Sequence, residues 1–173
     1  MLPSPLHPAI VHFPIVFMML LPLAALGALW AIRRGWSPVR AWALPVAFAA
    51  ALALSAWVAV ETGETDEERA EDVVGEQALD AHKTLATRFL YLSGGVLVVM
   101  VLGLMGGAPG RSARALGSVA ALGLILAGFQ VGHSGGRLVY GDSATVGLVG
   151  AFGAGAEGEG ESGLRPNTEA DDD

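Results

Sequence analysis

The residues of this chain best suited to chemistry are its four histidines, His7, His12, His82 and His133, in a sequence with no cysteine. Imidazole binds metals and carries protons near neutral pH. The lack of cysteine removes disulfides, thiolate zinc sites, cysteine-held iron–sulfur clusters and covalent c-type haem attachment. Any bound metal must therefore rest on His, carboxylate, Met or Tyr. Five residues separate His7 from His12, about 140° of helical rotation, so the two do not share a face. Pro8 biases His7 away from helical geometry. His12 is expected to project from the first turns of a helix, with His7 above it as a lid or as a group supporting a ligand from behind. His12 and His82 each adjoin an apolar run, where ionisable groups are costly and usually functional. No nucleophile–base pair, metalloprotease helix or phosphate-binding loop is present, so the residues give no ground for an enzyme.

The elements that must position these histidines are apolar helices. Hydrophobic residues make up 53% of the 173, mean hydropathy is +0.52, and 16% of residues are charged, against about 25% in a soluble domain. The charges lie between or after four apolar stretches, which fits an all-α, polytopic bundle of four transmembrane helices. The expected spans are about 9–32, 42–60, 84–105 and 115–132, within a domain covering 1–149. The first span is followed by Arg33 and Arg34 and has no basic residue before it. That is the reverse of a secretory signal, so it is kept as a permanent helix. Glu61 to Lys83 holds nine acidic and two basic residues and is expected to form a short acidic surface helix between spans two and three. Residues 150–173, rich in glycine and acid, read as a disordered tail. No long-period repeat is evident. Gly103/Gly107 and Gly128/Gly132 have the spacing of close helix packing. Tyr140 and the tryptophans read as interfacial anchors.

The loops after spans one and three carry five arginines and no acid. The positive-inside rule puts them in the cytoplasm and both termini outside, in the periplasm or its equivalent. All four histidines then fall on the outer side, together with Glu61 at the end of span two. Arg88, near the start of span three, either snorkels to the interface or pairs with an anionic group. Arg137 follows His133 by four residues and reads as a loop cation, with Glu61 as a helix cap or its ion partner. Gln130 is suited to a hydrogen bond across helices. The run Gly132-His133-Ser134-Gly135-Gly136 reads as a flexible helix exit or a close backbone approach to a cofactor. A net charge of −7 makes nucleic acid an unsuitable partner.

Four pieces of the chain carry a family resemblance. They are His7-Pro8-Ala9-Ile10-Val11-His12-Phe13-Pro14-Ile15, Thr62-Gly63, Ala78-Leu79-Asp80-Ala81-His82, and Gly132-His133-Ser134-Gly135-Gly136-Arg137-Leu138-Val139-Tyr140. Over about Leu6 to Gly141 the chain resembles a bacterial membrane family catalogued as a domain of unknown function, DUF2231. The resemblance implies a four-helix membrane domain. Some members of that family are fused to Rieske iron–sulfur or c-type cytochrome modules, which implies a redox neighbourhood. After Tyr140 this chain departs from the pattern, with Gly141-Asp142-Ser143 where relatives often carry His and Gly.

Two imidazoles from facing helices of a bundle can hold a six-coordinate haem iron, which suits electron transfer. The leading expectation is therefore a b-type haem protein of the membrane. His12, His82 and His133 are its candidate ligands, His7 lies beside them, and Arg88 or Arg137 would meet the propionates. Which two histidines bind, and whether four serve two haems, stays open. Copper or zinc binding by the same histidines, with Glu61, is the alternative. A small structural or assembly subunit of a membrane complex is the third.

Overall fold

The computed structural model describes residues 7–65 and 76–156, with side chains through Leu138. Among the described residues it contains five helices: α1 (His7–Ile10), α2 (His12–Arg33), α3 (Pro38–Thr65), α4 (Glu76–Leu102) and α5 (Gly107–Ala156). Four stretches are long and apolar enough to cross a bilayer: His7–Arg33, Pro38–Thr65, Glu76–Leu102 and Gly107–Leu138. The expected spans sit inside them, apart from residues 103–105, which follow the end of α4. The helices outrun the apolar segments because a backbone ladder continues into polar flanks at a membrane surface without penalty.

Both ends of the acidic segment are continuations of spans, Glu61–Thr65 in α3 and Glu76–Lys83 in α4. The rest of the expected surface helix, residues 66–75, lies outside the described residues. So do residues 157–173 of the expected tail, while Gly150–Ala156 is helical. Residues from Val139 onward form a compact unit separate from Met1–Leu138. The four-helix bundle belongs to the first unit.

The turns at one end are built from local chemistry. Gly35 has φ of 94°. Its N–H donates to Ile32 O (3.0 Å) and the Trp36 N–H to Ala31 O (3.1 Å), closing α2 in a Schellman motif. Pro38 then opens α3, where its missing N–H has no cost. The Arg34 guanidinium lies 4.9 Å from the centre of the Trp30 ring, a cation–π contact at this end. The second such turn contains Gly107, with φ of 69°.

The core is one cluster with members from all four spans: Met18, Leu21 and Ala25, then Trp42, Ala49 and Leu52, then Phe89, Val96 and Met100, then Ala121 and Leu124. The outward faces are apolar too, with Leu126 70% and Phe129 71% exposed, as lipid-facing helices require. Helix α3 packs on α2 and α4. Helix α5 closes the ring, because Gly128 lies against Met18 of α2 and Phe89 of α4, and Gly117 against Met100. Gly103 and Gly128 thus make the close approaches expected of them. Gly107 serves a turn instead, and Gly132 faces open space.

Two expectations are corrected at the arginine end. Trp42 is not an interfacial anchor: it is fully buried, and its Nε1–H donates to Met100 O at 2.9 Å. Arg114 is not a loop residue. It lies in α5, is 5% exposed, and donates from one guanidinium nitrogen to Gly103 O (2.5 Å) and Met105 O (3.3 Å). The carbonyls just past a helix end have no ladder partner, and Arg114 supplies one from the neighbouring helix. Arg114→Leu leaves them bare and is expected to destabilise the protein by about 1–3 kcal/mol. Thermal unfolding in detergent reads this directly, and an unchanged midpoint would mean that water replaces the guanidinium there.

Candidate functional site

The histidines of this chain divide into two kinds. His7 and His82 are half-buried and held by hydrogen bonds, whereas His12 and His133 are exposed on their helices. The split follows from which helix face each occupies.

His7 lies in the single turn α1, whose ladder is closed by Val11 N–H to His7 O at 3.1 Å. The preceding-proline bias against helix is overridden there by what the ring gains from α3. His7 Nδ1 is 2.8 Å from Ala59 O. A carbonyl only accepts, so Nδ1 carries the proton. The Thr62 hydroxyl donates back to Val58 O (2.9 Å) and Ala59 O (3.1 Å) and lies 3.5 Å from the same Nδ1. A Cβ added at Gly63 would stand 3.2 Å from His7 Cε1, so the glycine gives the ring its room.

His82 repeats this arrangement between α4 and α5. Its Nδ1 is 2.8 Å from Ser134 Oγ. The Ser134 hydroxyl spends its single proton on Val131 O, also at 2.8 Å. It must therefore accept from His82, whose Nδ1 carries the proton. A Cβ at Gly135 would stand 3.1 Å from His82 Cε1. In their neutral forms both imidazoles thus present Nε2 as a bare lone pair. The two rings also lie within electrostatic reach of each other.

The expected helix exit at His133-Ser134-Gly135-Gly136 is instead an uninterrupted part of α5. Within it Ser134 and Gly135 meet His82 of α4, so the ladder continues there, while His133 stays exposed and Gly136 faces open space. His133 stacks on Phe129, one turn back, with ring centres 6.1 Å apart and 10° between planes. His12 occupies the outward face of α2, and His7 is not a lid above it but a partner of α3. Arg88, Arg137, Glu61 and Gln130 are exposed. Helix α3 runs past Glu61 to Thr65, so Glu61 does not cap it.

His7 and His82 are thus each clasped by a neighbouring helix and lie within electrostatic reach of each other, while His12, His133 and Glu61 are exposed on their helices. Among the described residues no group of three or more His, Asp or Glu side chains is placed to hold a metal ion. What the site offers is two neutral nitrogen donors. Each is oriented through its far nitrogen, as histidine ligands of metals generally are. Sequence reasoning passed over Thr62, Ser134 and their following glycines as working parts. The signal available was the recurrence of a hydroxyl residue followed by glycine near the ends of spans two and four.

The family model described as "Predicted membrane protein (DUF2231)" matches residues 3–148. No curated protein and no solved structure matches the chain.

Proposed function

The chain belongs to the DUF2231 family of membrane proteins, and on that premise we propose that it is a b-type haem-binding electron-transfer component whose haem iron would be held by His7 and His82. One observation carries this reading: two clasped imidazoles that both point an unshared Nε2 lone pair away from their hydrogen-bond partners. Haem suits such a donor set because the porphyrin supplies four of the six iron positions and the protein need supply two. A zinc site would need three or four protein ligands. Two imidazoles favour a six-coordinate, low-spin iron whose work is to pass electrons rather than to bind small ligands. The Nδ1–H bonds to neutral oxygens fix the ring planes and raise the basicity of Nε2.

Arg88 and Arg137 belong to the two helices, α4 and α5, that clasp His82, and both are exposed and suited to propionate carboxylates. The arginine loops would face the cytoplasm and the paired histidines the outer side of a bacterial cytoplasmic membrane. A redox partner of Rieske or c-type cytochrome type would then meet the protein from that side.

The test is a reduced-minus-oxidised visible spectrum of protein purified in mild detergent from haem-replete cells. A Soret shift with resolved α and β bands is expected from the wild type. His7→Ala and His82→Ala should each abolish the low-spin spectrum, while His12→Ala and His133→Ala keep it. A flat wild-type spectrum at good yield would sink the haem reading. Bound copper or zinc in that sample would leave the metal-binding alternative, and bare protein would leave a structural subunit.

A further inference from the structure

The sequence shows no long-period repeat, but the pattern of burial does. In α2 five of the six buried positions, Pro14, Met18, Leu21, Ala25 and Ala28, have a buried counterpart 75 residues later, at Phe89, Ser93, Val96, Met100 and Gly103 of α4 and its end, while the sixth, Pro22, corresponds to half-buried Leu97. His7 and His82 stand in the same register. In α3 the buried positions Trp42, Pro45, Ala49 and Leu52 recur 72 residues later as buried Arg114, Gly117, Ala121 and Leu124 of α5, and buried Ala56 and Ala59 as half-buried Gly128 and Val131.

The same 72-residue step carries Gly35 to Gly107, the two glycines with positive φ among the described residues. It also carries Ala59, Thr62 and Gly63 to Val131, Ser134 and Gly135, the three members of each histidine clasp. The step changes from 75 to 72 between Ala28 and Gly35, because α2 runs on to Arg33 whereas α4 ends at Leu102, before Gly103; the connections themselves, 34–37 and 103–106, are equally long. At the level of whole helices the contacts follow the exchange as well, since α3 meets α4, at Trp42 and Met100, and α5 meets α2, at Gly128 and Met18, although these two contacts do not map residue onto residue.

Chance agreement of this kind is disfavoured by chemistry as well as by number. A helix buries about every third or fourth residue, so two helices can share a stripe by accident. They do not thereby share a left-handed glycine at the turn. Nor do they share a hydroxyl–glycine pair receiving an imidazole at the other end. The copies have diverged at the arginine end, where Trp42 and Arg114 are different chemistries in equivalent buried positions. They agree at the histidine end.

We infer that the chain is a duplicated helical hairpin, and that its two copies contribute one equivalent imidazole each, His7 and His82, to a single ligand centre shared between them. The ligand is of a definite class: one electron-pair acceptor that takes two equivalent neutral nitrogens. His12 and His133 have no histidine counterparts in the other copy, Thr87 and Glu61 standing in their places. They lie outside the centre. The inference rests on the reading of His7 and His82 as cofactor ligands. It goes beyond that reading in fixing one centre per chain and equal shares for the two histidines.

The experiment measures two things on the full-length wild type and on the variants His7→Ala, His82→Ala, Gly63→Ala, Gly135→Ala, His12→Ala and His133→Ala. The first is haem per chain, from the pyridine haemochrome and amino-acid analysis. The second is the thermal midpoint of the haem-free protein in detergent. One haem per chain is expected, lost equally in both clasp-histidine variants and retained in the His12 and His133 variants. In the haem-free protein, His7→Ala and His82→Ala should lower the midpoint by matching amounts, about 2–4 °C each. The two glycine variants should match each other in the same way.

Two haems per chain, or haem retained by either clasp variant, overturns the shared centre even if haem is bound. If no haem binds at all, the cofactor reading fails by itself. The duplication is then decided by the midpoints, and a loss confined to one clasp overturns it.

Discussion

Trp42→Ala is expected to lower the stability of the purified protein by about 3–5 kcal/mol, the range for emptying a fully buried aromatic site. Lipid is as apolar as a leucine side chain, so transfer from water does not hold this bundle together; packing and hydrogen bonds do. Trp42 concentrates both. Its side chain is fully buried, its indole N–H is bonded to Met100 O, and its ring rests against Gly103. Truncation leaves a void between α3 and α4 lined by groups that lose their dispersion partners outright.

Trp42→Phe separates the two contributions. It fills most of the volume and gives up the indole donor, yet Met100 O keeps the Gly103 N–H at 3.1 Å. The expected loss is about 1 kcal/mol. Gly103→Val should be as damaging as Trp42→Ala for the opposite reason, since its side chain would occupy the indole's own space. Thermal unfolding of the four proteins in one detergent gives the ranking. A Trp42→Ala midpoint equal to that of the wild type would mean that α3 and α4 are held apart from this contact.

Trp42 also shows why some of the architecture was legible in the sequence and some was not. The four crossings were legible because length and apolarity alone decide whether a helix spans a bilayer. Which face of each helix turns inward was not, because in a membrane both faces are apolar. Leu21 is buried and Leu23 faces outward with the same side chain, so the amphipathic stripe that orients a soluble helix is missing. A tryptophan near a loop then looks like an interfacial anchor whether or not it is one. Arg114 misleads for a related reason: a cation at a helix end reads as solvated until a neighbouring helix is found to present bare carbonyls to it.

At the histidine end the sequence left open which histidines act together, and the structure clasps His7 and His82 while His12 and His133 lie exposed. His12 stands out because it sits in an apolar run, yet its direction is set by a helix phase that its neighbours do not reveal. His7 was discounted through its proline neighbour, whereas a bond to Ala59 O holds it in a helical turn. Ser134 lay in a stretch of glycines that reads as a helix exit. Only the approach of His82 makes continued helix the better outcome there. The duplication escaped notice because equivalent positions share burial rather than identity, as Met18 with Ser93 and Trp42 with Arg114 illustrate.

Ser134→Ala should weaken haem binding about 10–100-fold, the usual effect of removing the group that orients a histidine ligand, while leaving the bundle intact. The argument turns on one proton. Ser134 Oγ gives its hydrogen to Val131 O and so can only accept from His82, which keeps the imidazole protonated at Nδ1 and bare at Nε2. Alanine removes the acceptor. The ring is then free to rotate and to carry its proton on Nε2, which leaves no lone pair there for iron, and part of the binding energy goes to restoring the competent form. Ser134→Thr retains the hydroxyl, as Thr62 does in the equivalent place beside His7. It should therefore bind haem nearly as the wild type does. Titration of haem into haem-free protein, followed at the Soret band, gives the affinity ratio, and the thermal midpoint of the same samples checks the fold. Wild-type affinity in Ser134→Ala would show that the clasp does not orient a ligand. Equal losses in the alanine and threonine variants would point to packing rather than to the proton.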